Sequence, residues 1–243
     1  MLNLVNFYDK FVEILSRMAN TVLTQDTLNF LKKLEKNNNR EWFEENKVVF
    51  KGHEASVKEF FNTILDRLRP HDEIEKLKMF RIYRDVRFSK DKTPYKAHLA
   101  GSFSRTGARF RGGYYMHIKP GDSFIATGFW DPNKEDLFRI RKELELDADE
   151  FREVTGEASF KKIWGTIVGD ELKTAPKGFN KEHKDIDLIK KKQFIFVRKF
   201  SDKEVVSPDF SEKITASFLA IRPYFNLMSD VLTTDLNGES LLN

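Results

Sequence analysis

The chain has 243 residues, 40% of them hydrophobic and 23 of them Phe, which supplies one sizeable core and excludes a chain disordered by composition. There is no cysteine, which excludes disulfides, thiolate metal sites and a cysteine nucleophile and fits a reducing, cytoplasmic setting. The net charge is only +4, yet residues 78–119 hold 11 Lys or Arg against 2 Asp, so that stretch carries +9 and the remainder −5; such a segment creates a local positive potential.

No apolar run reaches the roughly 18 residues of a membrane span. Residues 1–19 read as an amphipathic helix with Leu4, Phe7, Phe11, Ile14 and Leu15 on one face, and Asp9, Lys10 and Glu13 interrupt any signal-peptide core. This N-terminal helical extension (residues 1–22) packs on the domain or on a partner, or it precedes a natural start at Met18. Its polar face mixes acids with bases, which disfavours a membrane-surface helix.

A helix runs from Thr24 to about Lys36, and the run Asn37-Asn38-Asn39 breaks it. Asn38 followed by Glu41 has the spacing of a capping box and opens a long second helix, whose stripe of Phe43, Phe50, Val57, Phe61, Ile64 and Leu68 ends at Pro70. From Met79 the period becomes two: Phe80, Ile82, Val86 and Phe88 alternate with Arg81, Tyr83, Asp85 and Arg87, the pattern of a half-buried strand. A charged turn over 89–94 leads to a second strand, Ala97 to Ser104. After a Gly/Arg-rich loop over 105–113, Tyr114 to Lys119 and Ser123 to Trp130 form a hairpin about Pro120-Gly121-Asp122.

Asp131-Pro132 marks a helix start with Asp131 as N-cap. Shorter helices follow at Asp147, at 158–164 and over 182–190. Gln193 to Phe200 is apolar on both sides, which predicts a central strand. Ser207-Pro208 opens a final long helix that Pro223 kinks or splits, and residues beyond about Thr234 are expected to fray. Short connections favour antiparallel pairing. The expected fold is therefore α+β: a single domain over 23–232, a mainly antiparallel sheet of about five strands covered by helices.

The chemistry concentrates in the basic segment. On a regular strand Arg81, Tyr83, Asp85 and Arg87 share one face, and paired guanidiniums suit a phosphate or carboxylate because their planar forks bond oxyanions bidentately. The turn adds Lys90, Lys92, Thr93, Tyr95 and Lys96 as donors. Arg84 points to the apolar side and needs a partner, for which Glu41 or Glu45 of the long helix is available. The plainer reading of the same residues is an arginine network tying strands to helices.

The loop from Arg105 to Gly113 interleaves Arg, Gly and Phe as nucleic-acid-binding segments do. It lacks the glycine patterns of nucleotide folds, and an ordinary solvated loop has the same composition. His98 and His117 fall on adjacent strands and face each other if those strands pair; with Asp85 they make a candidate metal site or acid/base pair. An unrelated placement of the two is the alternative, because the pairing register is unknown. The five histidines show no metal-binding spacing, so no metal and no cofactor is expected.

Three stretches carry a family resemblance: Phe30-Leu31 with Asn37 to Phe43, then the block Phe80 to Lys96, then Gly113-Tyr114-Tyr115 with Gly128-Phe129-Trp130; Pro176-Lys177-Gly178-Phe179 extends it. Over about residues 23–225 the chain resembles domain of unknown function 2461 (DUF2461). That resemblance implies one domain over this length. The family has no established activity, so it assigns no catalytic residues. The expected function is a pocket for a small anionic ligand, with or without catalysis. The alternatives are nucleic-acid binding, or a protein-interaction module built on a structural arginine network.

Overall fold

A computed structural model describes residues 22–242, so the expectations for the N-terminal segment lie outside the described residues. Helix α1 (Gln25–Lys36) and helix α2 (Arg40–Leu68) open it. Five strands follow: β1 (Ile74–Met79), β2 (Leu99–Arg105), β3 (Gly113–Ile118), β4 (Ser123–Phe129) and β5 (Phe194–Phe200). Between β4 and β5 lie α3 (Lys134–Leu146), α4 (Asp149–Gly156), α5 (Ala158–Trp164) and α6 (Ile186–Ile189). After β5 come α7 (Asp202–Val205), α8 (Phe210–Ala220) and α9 (Arg222–Thr233).

The strands form one antiparallel sheet in the order β1-β2-β3-β4-β5, the α+β architecture expected. Its two faces differ sharply. Leu99, Phe103, Tyr114, Met116, Ile125, Phe194 and Phe196 point into the main core. There Phe103 meets Phe61 of α2 and Phe218 of α8, and Tyr114 meets Phe225 of α9. Gly101 sits in the middle of this face, where an added Cβ would lie 2.9 Å from the Phe61 ring, so the missing side chain is what lets α2 press onto the sheet. The opposite face carries the alternate residues: Ala100, His117 and Phe124 in one cross-strand row, and Ser102, Tyr115 and Ala126 in the next.

Four local expectations need correction. The first concerns Phe80 to Phe88, which is not a regular strand: β1 lies upstream, and a single Tyr83–Tyr95 bridge remains of the expected ladder. Local polar bonds have displaced that ladder. Asp85 binds Arg87 through both the backbone and the guanidinium, Asp91 caps the Thr93 amide at 2.9 Å, and Lys92 Nζ donates to the Val86 carbonyl at 2.9 Å. The second is the cap of α2, which is Asn39, accepting from the Trp42 amide at 2.9 Å.

The third is the cap of α3, which is Asn133 and not Asp131: its side chain accepts from the Asp136 amide at 2.8 Å. The fourth is β5, which is an edge strand, not a central one. Its double-sided apolarity serves burial on both faces, with Phe194 and Phe196 in the core and Ile195 buried on the other side, where Val168 bridges to it. Pro223 does split the final helix into α8 and α9. Residues beyond Thr234, expected to fray, make a turn in which Asp235 accepts from the Asn237 and Glu239 amides and Arg139 donates to the Thr234 carbonyl.

Candidate functional site

The basic block folds back on itself as a wide loop, and α1 and α2 hold its base. Asn38, freed from capping, donates to the Tyr95 carbonyl at 2.9 Å and accepts from the Tyr95 amide at 3.1 Å. The Tyr95 ring stacks on Phe43 at 4.0 Å. Ile82 and Tyr95 are buried, and Lys96 donates its amide to the Ile82 carbonyl, so the two limbs of the loop close on each other.

This folding decides the fate of the arginines. Arg84 turns to Asp91 and Thr93, its neighbours along the loop, and not to Glu41 or Glu45 of α2. Arg87 is locked to Asp85, 2.6 Å away, on the exposed part of the loop, beside a Phe88 that is 97% exposed. Arg81, Lys90 and Lys92 also lie on the surface and Tyr83 is half exposed, so the expected row of Arg81, Tyr83, Asp85 and Arg87 does not converge on one concavity. Asp91, held by Arg84, has a carboxyl lowered to about 2.

What does converge lies at the other end of the block. Arg84, Thr93, Tyr95, Lys96, His98 and Lys119, with Glu35 and Asn38, line a cleft of about 360 Å³. Arg84 is matched there by Asp91, and Lys119 by Glu35 at 3.4 Å. Lys96 has no carboxylate partner among the described residues; its ammonium sits 5.9 Å from the Phe80 ring centroid. The cleft therefore carries one unmatched positive charge.

His98 separates this cleft from a second, less polar concavity on the outer sheet face. That cavity, about 440 Å³, is lined by His98, Tyr115, His117, Phe124, Ala126 and Trp130. The antiparallel register of β2 and β3 sets Ala100 opposite His117, and the chain just before β2 brings His98 over it, with ring centroids 4.0 Å apart. Phe124 stacks on the other side of His117 at 4.6 Å, and the Tyr115 hydroxyl shares a 3.1 Å hydrogen bond with His117 Nδ1. Trp130 stands at the rim, 63% exposed, where the chain leaves β4 through Gly128. Gly128 has φ +118°, and an added Cβ would meet the Phe194 carbonyl at 2.2 Å, so no other residue fits that exit.

Burial lowers both imidazoles, His98 to about 3 with help from the charges of His117, Lys96 and Lys119, and His117 to about 4. Both are uncharged at neutral pH. Burial also raises the Tyr115 hydroxyl, which stays protonated. The pairing of His98 with His117 was legible as a dependence on register. Asp85 does not join them, being bound to Arg87 in the exposed loop. Among the described residues no group of three or more His, Cys, Asp or Glu is placed to hold a metal ion. Sequence reasoning placed Tyr115 and Trp130 among aromatics able to line a pocket but missed Lys119, Phe124 and Ala126 as site residues; only the sheet register brings these to His98.

The Gly/Arg loop is also internally engaged. Arg105 pairs with buried Asp72 and donates to the Arg111 carbonyl, and Arg111 pairs with Asp136 of α3. Arg109 rests its guanidinium 5.8 Å from the Phe110 ring centroid.

A family model described as conserved hypothetical protein (DUF2461) matches residues 26–226. The chain belongs to the DUF2461 family. The match spans α1 to the first turn of α9, and so contains both concavities and the buried ion pairs around Asp72. No curated protein and no solved structure matches the chain. No described helix is long and apolar enough to cross a membrane.

Proposed function

We propose that this DUF2461 protein binds a small anionic ligand, phosphate- or carboxylate-bearing, in the cleft between α1 and the base of the basic loop. The observation that carries this reading is the state of Lys96. Arg84 and Lys119 each have a carboxylate partner, while Lys96 faces the same cleft without one. A lysine without a carboxylate partner, lining the same cleft as Lys119, is an incomplete anion site. A cysteine-free chain suits such a role in a reducing, cytoplasmic setting.

The nucleic-acid reading is favoured less, since Arg105 and Arg111 of the Gly/Arg loop are paired inside the protein, while Arg109 stays exposed. His98 lines both this cleft and the neighbouring cavity and His117 lines the cavity, and two uncharged imidazoles suit hydrogen bonding to a ligand as well as acid or base work.

The test is calorimetric titration with phosphate, sulfate and a nucleoside monophosphate at low ionic strength. Binding is expected for at least one of them, and Lys96→Ala should weaken it about ten-fold, the loss of one charge-assisted bond. Arg81→Ala and Arg87→Ala should change it less than about two-fold, as exposed or already paired cations do. Absence of binding to every anion, or equal loss in all three variants, overturns the proposal.

A further inference from the structure

We propose that the ligand is a planar ring carrying a single anionic group, with the ring in the cavity on the outer sheet face and the anion beside Lys96, the two parts passing on either side of His98. This deepens the anion-binding reading and rests on it.

The first observation is the shared wall. His98 lines both the cationic cleft and the aromatic cavity, so a molecule lying against its ring reaches both. The second is size. A cavity of about 440 Å³ lies within the range of small-molecule sites and holds far more than an inorganic anion. A bare phosphate at Lys96 would leave the aromatic cavity unfilled, and an uncharged apolar ligand would leave Lys96 unmatched.

The third observation is shape. Ala126 puts a small, buried side chain on the cavity side of β4. Beside it stand the rings of His117, Phe124 and Tyr115, with Trp130 at the rim. Aromatic walls above an alanine floor make a slot, and offset or edge stacking of a planar ring uses it better than a branched aliphatic body does. Trp130 exposes most of its indole at this rim, an apolar area that a stacked ring would cover. The fourth is polarity. The imidazoles are neutral, and the Tyr115 hydroxyl and His117 Nδ1 are already bonded to each other. They offer directional hydrogen bonds to ring heteroatoms without adding charge. The charge at the site thus comes from one ammonium, which fixes the single anionic group.

Isothermal titration at pH 7 with inorganic phosphate, phenol, phenyl phosphate and adenosine monophosphate tests this directly. Phenyl phosphate or adenosine monophosphate should bind about ten-fold or more tightly than inorganic phosphate, the increment expected for one stacked ring. Trp130→Ala, a surface change, should narrow that ratio to less than about three-fold, and Ala126→Leu, which fills the slot, should do the same. Whichever ring-bearing anion binds tighter, the inference stands, and the order tells a nucleotide-like ring from a simple aryl group. If neither ring-bearing anion outbinds phosphate, or if Trp130→Ala leaves the ratio intact, the bipartite ligand is overturned while the anion site survives. If phosphate and both ring-bearing anions fail to bind, both readings fall together.

Discussion

Asp72 and Arg105 form an ion pair at 2.9 Å in which both side chains are wholly shut off from solvent. Around it, Tyr114 donates its hydroxyl to Asp72 Oδ2 at 2.5 Å, and Arg222 of α9 reaches Asp72 Oδ1 at 3.2 Å. The Arg105 guanidinium also lies 4.9 Å from the Phe225 ring centroid. One carboxylate thus ties the chain entering β1 to β2, β3 and the last helix. The plainer reading put an arginine network on Arg81, Arg84 and Arg87; the arginines that tie strands to a helix are instead Arg105 and Arg222, which that reading did not name.

Removing one partner of a buried pair leaves the other charge unpaired in the interior, which costs about 3–5 kcal/mol. Asp72→Ala should therefore destabilise the protein by that order, and Arg105→Met by less, because Arg222 and Tyr114 still hold the Asp72 carboxylate. Urea unfolding of the two variants against the parent checks the asymmetry; equal and small losses would show that the cluster contributes little.

The Asn38 clamp on Tyr95 organises the candidate site from a distance, since it fixes the limb that carries Lys96 and His98. Asn38→Ala leaves the Tyr95 amide and carbonyl without their partners, a loss of about 1–3 kcal/mol. The effect should be local. Hydrogen exchange at the Arg84 and Lys96 amides, which donate across the loop to the Pro94 and Ile82 carbonyls, should accelerate, while β3 and β4 amides keep their protection. Uniform acceleration across the sheet would show instead that the clamp serves global stability alone.

His98 and His117 make stability depend on pH in a definable window. Their folded values, about 3 and about 4, lie below the ordinary 6.5, so on acidification the unfolded chain takes up protons first. Their stabilising contribution is complete above pH 6.5, declines as pH falls through 6.5 and levels off only below the folded values. His53, lowered by burial, adds in the same direction. Between pH 7 and pH 5, mostly above the range where carboxylates titrate, stability should fall on the order of 4 kcal/mol, roughly 2 from each ring, and His98→Asn with His117→Asn should flatten most of that fall. The two rings touch, so they titrate as a pair. Proton NMR of both imidazoles would show no titration above pH 5; a midpoint near 6.5 for either ring would contradict their burial.

Much of the fold was legible because periodicity reports burial directly. The alternation in 99–105, 113–118 and 123–129 gave the antiparallel hairpins, and the stripe of Phe43, Phe50, Val57 and Phe61 gave the long helix, since side-chain direction repeats every two residues in a strand and every 3.6 in a helix. The block Phe80 to Phe88 alternates just as well, yet it is a loop. Asp85, Asp91 and Thr93 bind their own neighbours there, and a period-two pattern does not register that competition.

The site followed the same division. The sequence by itself determined where positive charge gathers, that cysteine chemistry is impossible, and that His98 and His117 share whatever fate their strands have. Tertiary structure alone decided which cations of the cleft are matched by a carboxylate, that Lys96 has no such match among the described residues, and that Phe124, Ala126 and Trp130 lie beside a histidine some 30 residues earlier in the chain. Those outcomes depend on strand register and on pairings between distant residues, and neither leaves a trace in the local order of side chains.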